Sequence, residues 1–122
     1  MRVGVIGGGT MGIGIAHRFA ANGAVVSVVD VDLDTAQLAV VRVADTLATA
    51  AERGKLNPDD LAGIVGNVHA AGSVDELDDG LDLIVEAVVE DVALKQSILA
   101  AAEERAPAVL ASNTSSISID EL

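Results

Sequence analysis

The sequence predicts an α/β fold: a single domain with five parallel strands in the order 3-2-1-4-5, doubly wound with helices on both faces. Three observations carry this. Short β-branched runs alternate along the chain with longer amphipathic stretches, and strands that alternate with helices build a parallel sheet covered on both sides. One of those runs, AVVSVV at 24–29, is apolar but for Ser27, as strands buried on both faces largely are. The first run leads at once into GVIGGGTMGIGIA at 4–16, a glycine density that weakens both strands and helices unless the backbone needs the room.

Each element has its own local signal. Residues 2–6 (RVGVI) form the first strand. A helix follows from about Thr10 to Asn22, with Met11, Ile15 and Phe19 expected on its inner face and Gly23 as its stop. After the strand at 24–29, Asp32 or Asp34 caps a helix whose stripe is Ala36, Val40, Val43, Leu47 and Ala50, ending near Gly54. Asn57-Pro58-Asp59-Asp60 opens a short helix: a cap, a proline at the first position, then acids in the first turn. A weak strand falls at Val68–Ala70, and Ser73-Val74-Asp75-Glu76 has the form of a capping box. Residues 81–87 (LDLIVEA) form the fourth strand, Asp91 to Arg105 a helix with Leu94, Ile98 and Ala102 in register, and residues 108–112 the fifth strand after Pro107. With the second strand on one side of the first and the fourth on the other, the switch point lies between strands one and four.

Composition narrows the function classes. The 122 residues suffice for one core. Hydrophobic residues make up 51% of the chain but Phe19 is the sole aromatic, so the core is Val, Ile, Leu and Ala. A net charge of −12 argues against nucleic acid and anionic membrane surfaces as partners. The absence of cysteine excludes disulfides and thiolate metal sites and fits a cytoplasmic location; no metal site is expected. Met1-Arg2 leads straight into Val3 with no leader pattern, and no apolar run is long enough to span a bilayer.

Only one register of the opening stretch gives G-x-G-x-x-G: Gly7, Gly9 and Gly12. It stands after a strand and opens a helix, the context the motif requires. Gly7 permits the tight turn, Gly9 lets a pyrophosphate approach the backbone, and Gly12 lets the helix pack close to the strand. Thr10 and Met11 begin the helix whose N-terminal N–H groups face the anion, and they are counted with the cofactor-binding residues. Gly8 is expected only to keep the loop open, and Gly14 to ease packing against a neighbour. Asp30 ends the second strand at the spacing where a carboxylate receives the adenosine ribose hydroxyls, which favours NAD over NADP.

With these residues in place the sequence resembles the 3-hydroxyacyl-CoA dehydrogenase family over almost its whole length. The anchors are GVIGGGTMGIGIAHRFAANG at 4–23, DLIVEAVVEDVALKQSIL at 82–99 and LASNTSSISI at 110–119. The first is shared in outline with other Rossmann-type enzymes; the second and third are more specific, and the likeness is greatest to short monofunctional bacterial 3-hydroxybutyryl-CoA dehydrogenases. The resemblance implies that residues 1–122 form the NAD-binding domain of an enzyme that interconverts 3-hydroxyacyl-CoA and 3-oxoacyl-CoA, homodimeric when complete. It implies that Glu90 stands beside the cofactor, that Lys95 lies toward the nicotinamide, and that Ala87 lines the groove. It places Ser115 near the substrate oxygen and the nicotinamide, with Asn113 shaping the same loop. For the CoA nucleotide the candidate is Lys55, with Arg53 second.

Each of these residues also has a plainer reading. Glu86 and Glu90 are the sort of solvated acids found near a helix start, Glu86 more so than Glu90. Lys95 fits the surface of an amphipathic helix, and 112–116 fits a hydroxyl-rich loop capping the next helix. The resemblance further implies a catalytic histidine on a strand after the fifth and a glutamate partner beyond it. His17, on the first helix away from the glycine loop, and His69, on the edge strand, match neither; both are expected to be structural or surface residues. The chain is therefore expected to bind cofactor without catalysing the reaction alone. Two alternatives remain open: a free-standing NAD-binding module and the cofactor domain of another hydroxy-acid dehydrogenase.

Overall fold

The computed structural model describes residues 1–88 and 92–112, the side chain of Val92 excepted. Five strands make one parallel sheet: β1 (Arg2–Ile6), β2 (Val25–Val29), β3 (Val68–Ala71), β4 (Leu83–Glu86) and β5 (Val109–Ser112). Their order is β3-β2-β1-β4-β5, as the sequence predicts. The register aligns the carboxyl ends in one row, Ala71–Val29–Ile6–Glu86–Ser112. That row runs across the switch point between β1 and β4, where doubly wound sheets bind ligands.

Alternation along the strands divides the core in two. Val3, Val5, Val26 and Val28 face α1 (Thr10–Ala21) and α2 (Leu33–Glu52), with Val43 and Leu47 of α2 fully buried against them. Ile6, Val29 and Ile84 face the other way, toward Leu77, Leu81 and Ala102 of α4 (Val92–Glu104). A short α3 (Leu61–Gly66) follows a single 3-10 turn at Pro58–Asp60, with Asn57 accepting from the Asp59 N–H at 3.0 Å. Asp32, not Asp34, caps α2: its carboxylate accepts the Thr35 N–H at 2.7 Å, and this bond holds the Asp32 carboxyl below its usual range. The Ser73–Glu76 box forms, with Glu76 accepting from the Gly72 and Ser73 N–H groups, but it opens only a 3-10 turn.

Three sequence expectations about α1 and its glycines give way to the packing. The inner face of α1 is Gly12, Ile13, Ala16 and Ala20; Ile15 and Phe19 lie half-buried at the flank and Met11 is 58% exposed. The reason is Gly12. A Cβ built there would fall 1.7 Å from the Gly7 carbonyl oxygen, so the helix sits too close to the strand turn for large side chains to lie between them. Among the described residues nothing lies within 4 Å of a Cβ at Gly14, while Gly8 does more than keep the loop open: a Cβ there would meet Asp30 Oδ2 at 2.6 Å and the Ala39 Cβ at 2.7 Å.

Candidate functional site

The loop from β1 to α1 is shaped by backbone contacts. Gly7 has φ +110° and a Cβ there would lie 2.6 Å from the Ala87 carbonyl oxygen. Its N–H donates to Val29 O at 2.8 Å, and Ala87 N–H donates to Ile6 O at 2.8 Å. The loop is thus tied to β2 on one side and to the end of β4 on the other. Gly9, by contrast, has nothing within 4 Å of a Cβ position. It N-caps α1 without any side-chain acceptor, and no acid stands in the first turn. In a chain of net charge −12, the first turn of α1 thus carries no carboxylate of its own, a setting suited to a phosphate.

Asp30 completes this half of the site. Its Oδ2 accepts the Gly8 N–H at 3.0 Å and its Oδ1 the Val31 N–H at 2.7 Å. A carboxylate has about four acceptor positions, so two hydroxyls of a vicinal diol find acceptors left over. Beside Asp30 a cleft of about 280 Å³ opens at the ends of β1, β2 and β3, walled by Val31, Val74, Leu94 and Ile98. Its walls are apolar and its single carboxylate is at the rim, a match for a purine ring joined to a ribose.

The other half of the carboxyl edge is closed. Glu86, the last residue of β4, and Lys95 of α4 are both 0% exposed and form an ion pair of 2.7 Å. Glu86 Oε1 also accepts the Val88 N–H at 3.0 Å, and Oε2 accepts the Ser112 hydroxyl at 2.5 Å. Three donors on two oxygens are the surroundings of an ionised carboxylate. Neither residue is the solvent-facing group that its plainer reading describes. Glu86 is a buried, paired acid at the carboxyl edge, where its plainer reading expects a solvated one. Its signal was a carboxylate inside LDLIVEA, since a charge in a buried strand needs a partner and Lys95 stands nine residues on.

The model of the 3-hydroxyacyl-CoA dehydrogenase NAD-binding domain matches residues 2–122. The chain belongs to that family. It is 38% identical over 120 residues to the fatty acid oxidation complex subunit alpha of Colwellia psychrerythraea, covering 97% of this chain and 16% of the relative. Among solved structures it is similar to FadB2 of M. tuberculosis, with 36% identity, a TM-score of 0.88, and coverage of 98% of this chain and 43% of that one. The (S)-3-hydroxybutyryl-CoA dehydrogenase PaaH1 of Ralstonia eutropha gives 36% identity and a TM-score of 0.83, over 97% of this chain and 42% of that one. The chain thus spans less than half the length of each of these relatives.

The family's NAD fits the geometry: room at Gly9, a bare helix start, and a carboxylate at the end of β2. The structure brings Gly7, Gly9, Thr10, Met11, Gly12, Asp30 and Ala87 to one edge of the sheet, with Thr10 and Met11 on the exposed side of α1. Lys55 is exposed beyond the far end of α2, whose 20 residues span about 30 Å from its start beside Asp30; it is not part of the groove. Glu90, Asn113 and Ser115 lie outside the described residues. His17 is half-buried on α1 and His69 is exposed on β3. Among the described residues no helix is long and apolar enough to cross a membrane, and no group of acids and histidines is placed to hold a metal.

Proposed function

We propose that this chain is the cofactor-binding part of an NAD-dependent 3-hydroxyacyl-CoA dehydrogenase acting on acyl-CoA substrates. The observation that supports it most is the bond from the Gly8 N–H to Asp30 Oδ2, which joins the phosphate loop and the ribose acceptor into one rigid unit. In this reading the backbone around Gly7–Gly9 and the start of α1 hold the pyrophosphate. Asp30 takes the ribose hydroxyls, and Val31, Val74 and Leu94 enclose the adenine. Ala87 borders the groove next to Gly7. Glu90, Lys95, Asn113 and Ser115 serve the nicotinamide half, and Lys55 contacts the CoA nucleotide.

The bound cofactor supplies a hydride acceptor for a secondary alcohol. In this reading the described residues bind and orient it, and neither histidine stands at the carboxyl edge to take the hydroxyl proton. The chain alone is expected to bind NADH and to leave acetoacetyl-CoA unreduced.

The test is an NADH fluorescence titration, free of protein background because the chain has no Trp or Tyr. NADH should bind more tightly than NADPH, because Asp30 repels a 2′-phosphate. Asp30→Ala should weaken NADH by about 1–3 kcal/mol, the worth of charged hydrogen bonds, and narrow the gap to NADPH. Equal affinity of the unmodified chain for the two cofactors overturns the assignment of Asp30.

A further inference from the structure

We propose that Glu86 is a specificity-determining residue that sets the preference of the groove between oxidised and reduced cofactor, by cancelling the charge of Lys95. The inference rests on the cofactor reading given above and concerns a residue to which that reading assigns no role.

The row of residues at the carboxyl edge changes character at the switch point. On one side of the switch point the row is apolar: Ala71, Val29 and Ile6. On the other it is Glu86 and Ser112. A dinucleotide with its adenosine at Asp30 and its pyrophosphate over the loop after β1 must extend its remaining half over β4 and β5. The polar end of the row therefore underlies the nicotinamide half. That half differs between the two redox forms in one electrostatic respect: the oxidised ring carries a positive charge and the reduced ring does not.

Glu86 and Lys95 are both 0% exposed and 2.7 Å apart, so the pair presents almost no net charge to this region. A buried ion pair adds little stability over a well-packed apolar pair. Its presence under the one part of the groove where ligand charge changes is explained by what happens when either partner is lost. Without Glu86, an uncompensated ammonium in a medium of low dielectric opposes the oxidised ring and leaves the reduced ring untouched. Without Lys95, an uncompensated carboxylate has the opposite effect. The Ser112 hydroxyl and the Val88 N–H, both donating to Glu86, keep the carboxylate fixed on the lysine.

The experiment measures dissociation constants of the 122-residue chain for NADH by fluorescence and for NAD⁺ by displacement of NADH. Glu86→Gln, which keeps the shape and removes the charge, is expected to raise the ratio Kd(NAD⁺)/Kd(NADH) about tenfold. That is the scale of one unit charge acting on another at roughly 10 Å through an effective dielectric of about 20. Lys95→Met is expected to lower the ratio, and the double variant Glu86→Gln/Lys95→Met to return it to the parent value. A purely structural role would weaken both cofactors together and leave the ratio unmoved; that result in Glu86→Gln overturns the inference. Should Glu86→Gln fail to fold, Lys95→Met decides in the same way with the sign reversed. A parent chain that binds neither form refutes the cofactor reading itself. One that binds both while the ratio stays constant across the variants refutes only the role of Glu86.

Discussion

The two halves of the carboxyl edge are built on opposite principles. The half over β1 and β2 is made of backbone: a glycine loop, a bare helix start, an open apolar cleft and one half-buried carboxylate, Asp30. The half over β4 and β5 is made of side chains: Glu86, Lys95 and Ser112 locked together, the first two out of reach of water. In the first half binding space is created by leaving atoms out. In the second, charge is placed and then neutralised. One half is thus shaped by backbone and empty space, the other by paired side chains that leave little net charge.

The largest expected effect tests the first half. Gly12→Ala places a Cβ 1.7 Å from a backbone oxygen, and neither the helix nor the turn has room to yield. The clash should remove the folded state, since domains have only about 5–15 kcal/mol in total; loss of the helical circular dichroism signal at 25 °C would show it. At Gly9, three residues away, a Cβ meets none of the described residues within 4 Å, so Gly9→Val should be tolerated by the fold. It should keep the parent's urea midpoint and lose NADH binding. A folded Gly9→Val chain with near-parental affinity would break the account of the loop as a mould.

A smaller effect tests the second half. Lys95→Met leaves the Glu86 carboxylate buried without its cation, a change that typically destabilises by about 3–5 kcal/mol. Adding Glu86→Gln should restore most of that loss, because two neutral groups of similar volume then face each other. Urea denaturation of the single and double variants gives the coupling directly. Additive losses would mean that the two side chains do not act as a pair.

The smallest effect sharpens the comparison by adding an exposed carboxylate. Asp32 lies two residues beyond Asp30 and only caps α2, and its folded-state carboxyl is held below 3.8 by the Thr35 N–H. A lowered folded value means a stabilising contribution that is present above the unfolded value and lost as the pH falls through the folded one. Asp32→Asn keeps an acceptor at the cap but has no charge. It should be slightly less stable than the parent at neutral pH and converge with it in strong acid. Cofactor affinity should stay unchanged throughout, as measured by the same NADH titration.

What could be read in advance follows the same division. The glycine motif, an aspartate cap at 32 or 34 and the alternation of strand and helix are signals confined to a few consecutive residues, and the fold class and strand order follow from them. The strand ends came within a residue or two, since local propensity weakens where the chain leaves the sheet: β4 is Leu83–Glu86 rather than 81–87. The face of α1 departs from the stripe its large residues suggest, because the close approach at Gly12 turns Gly12, Ile13, Ala16 and Ala20 inward. That approach is a contact between a helix and a turn, and no periodicity contains it.

The glycine loop after β1 is legible in Gly7, Gly9 and Gly12 themselves, because a motif that works through backbone conformation is written in the residues that must adopt it. Only the tertiary structure decided that Glu86 is an inward-facing charge and Lys95 its partner. Glu86 meets Ser112 across 26 residues of chain and Lys95 from a helix that folds back over the sheet. Whether an acid is solvated or sealed depends on which elements close over it, and that is settled by the sheet order and the packing of α4, far from the acid's own neighbours in sequence.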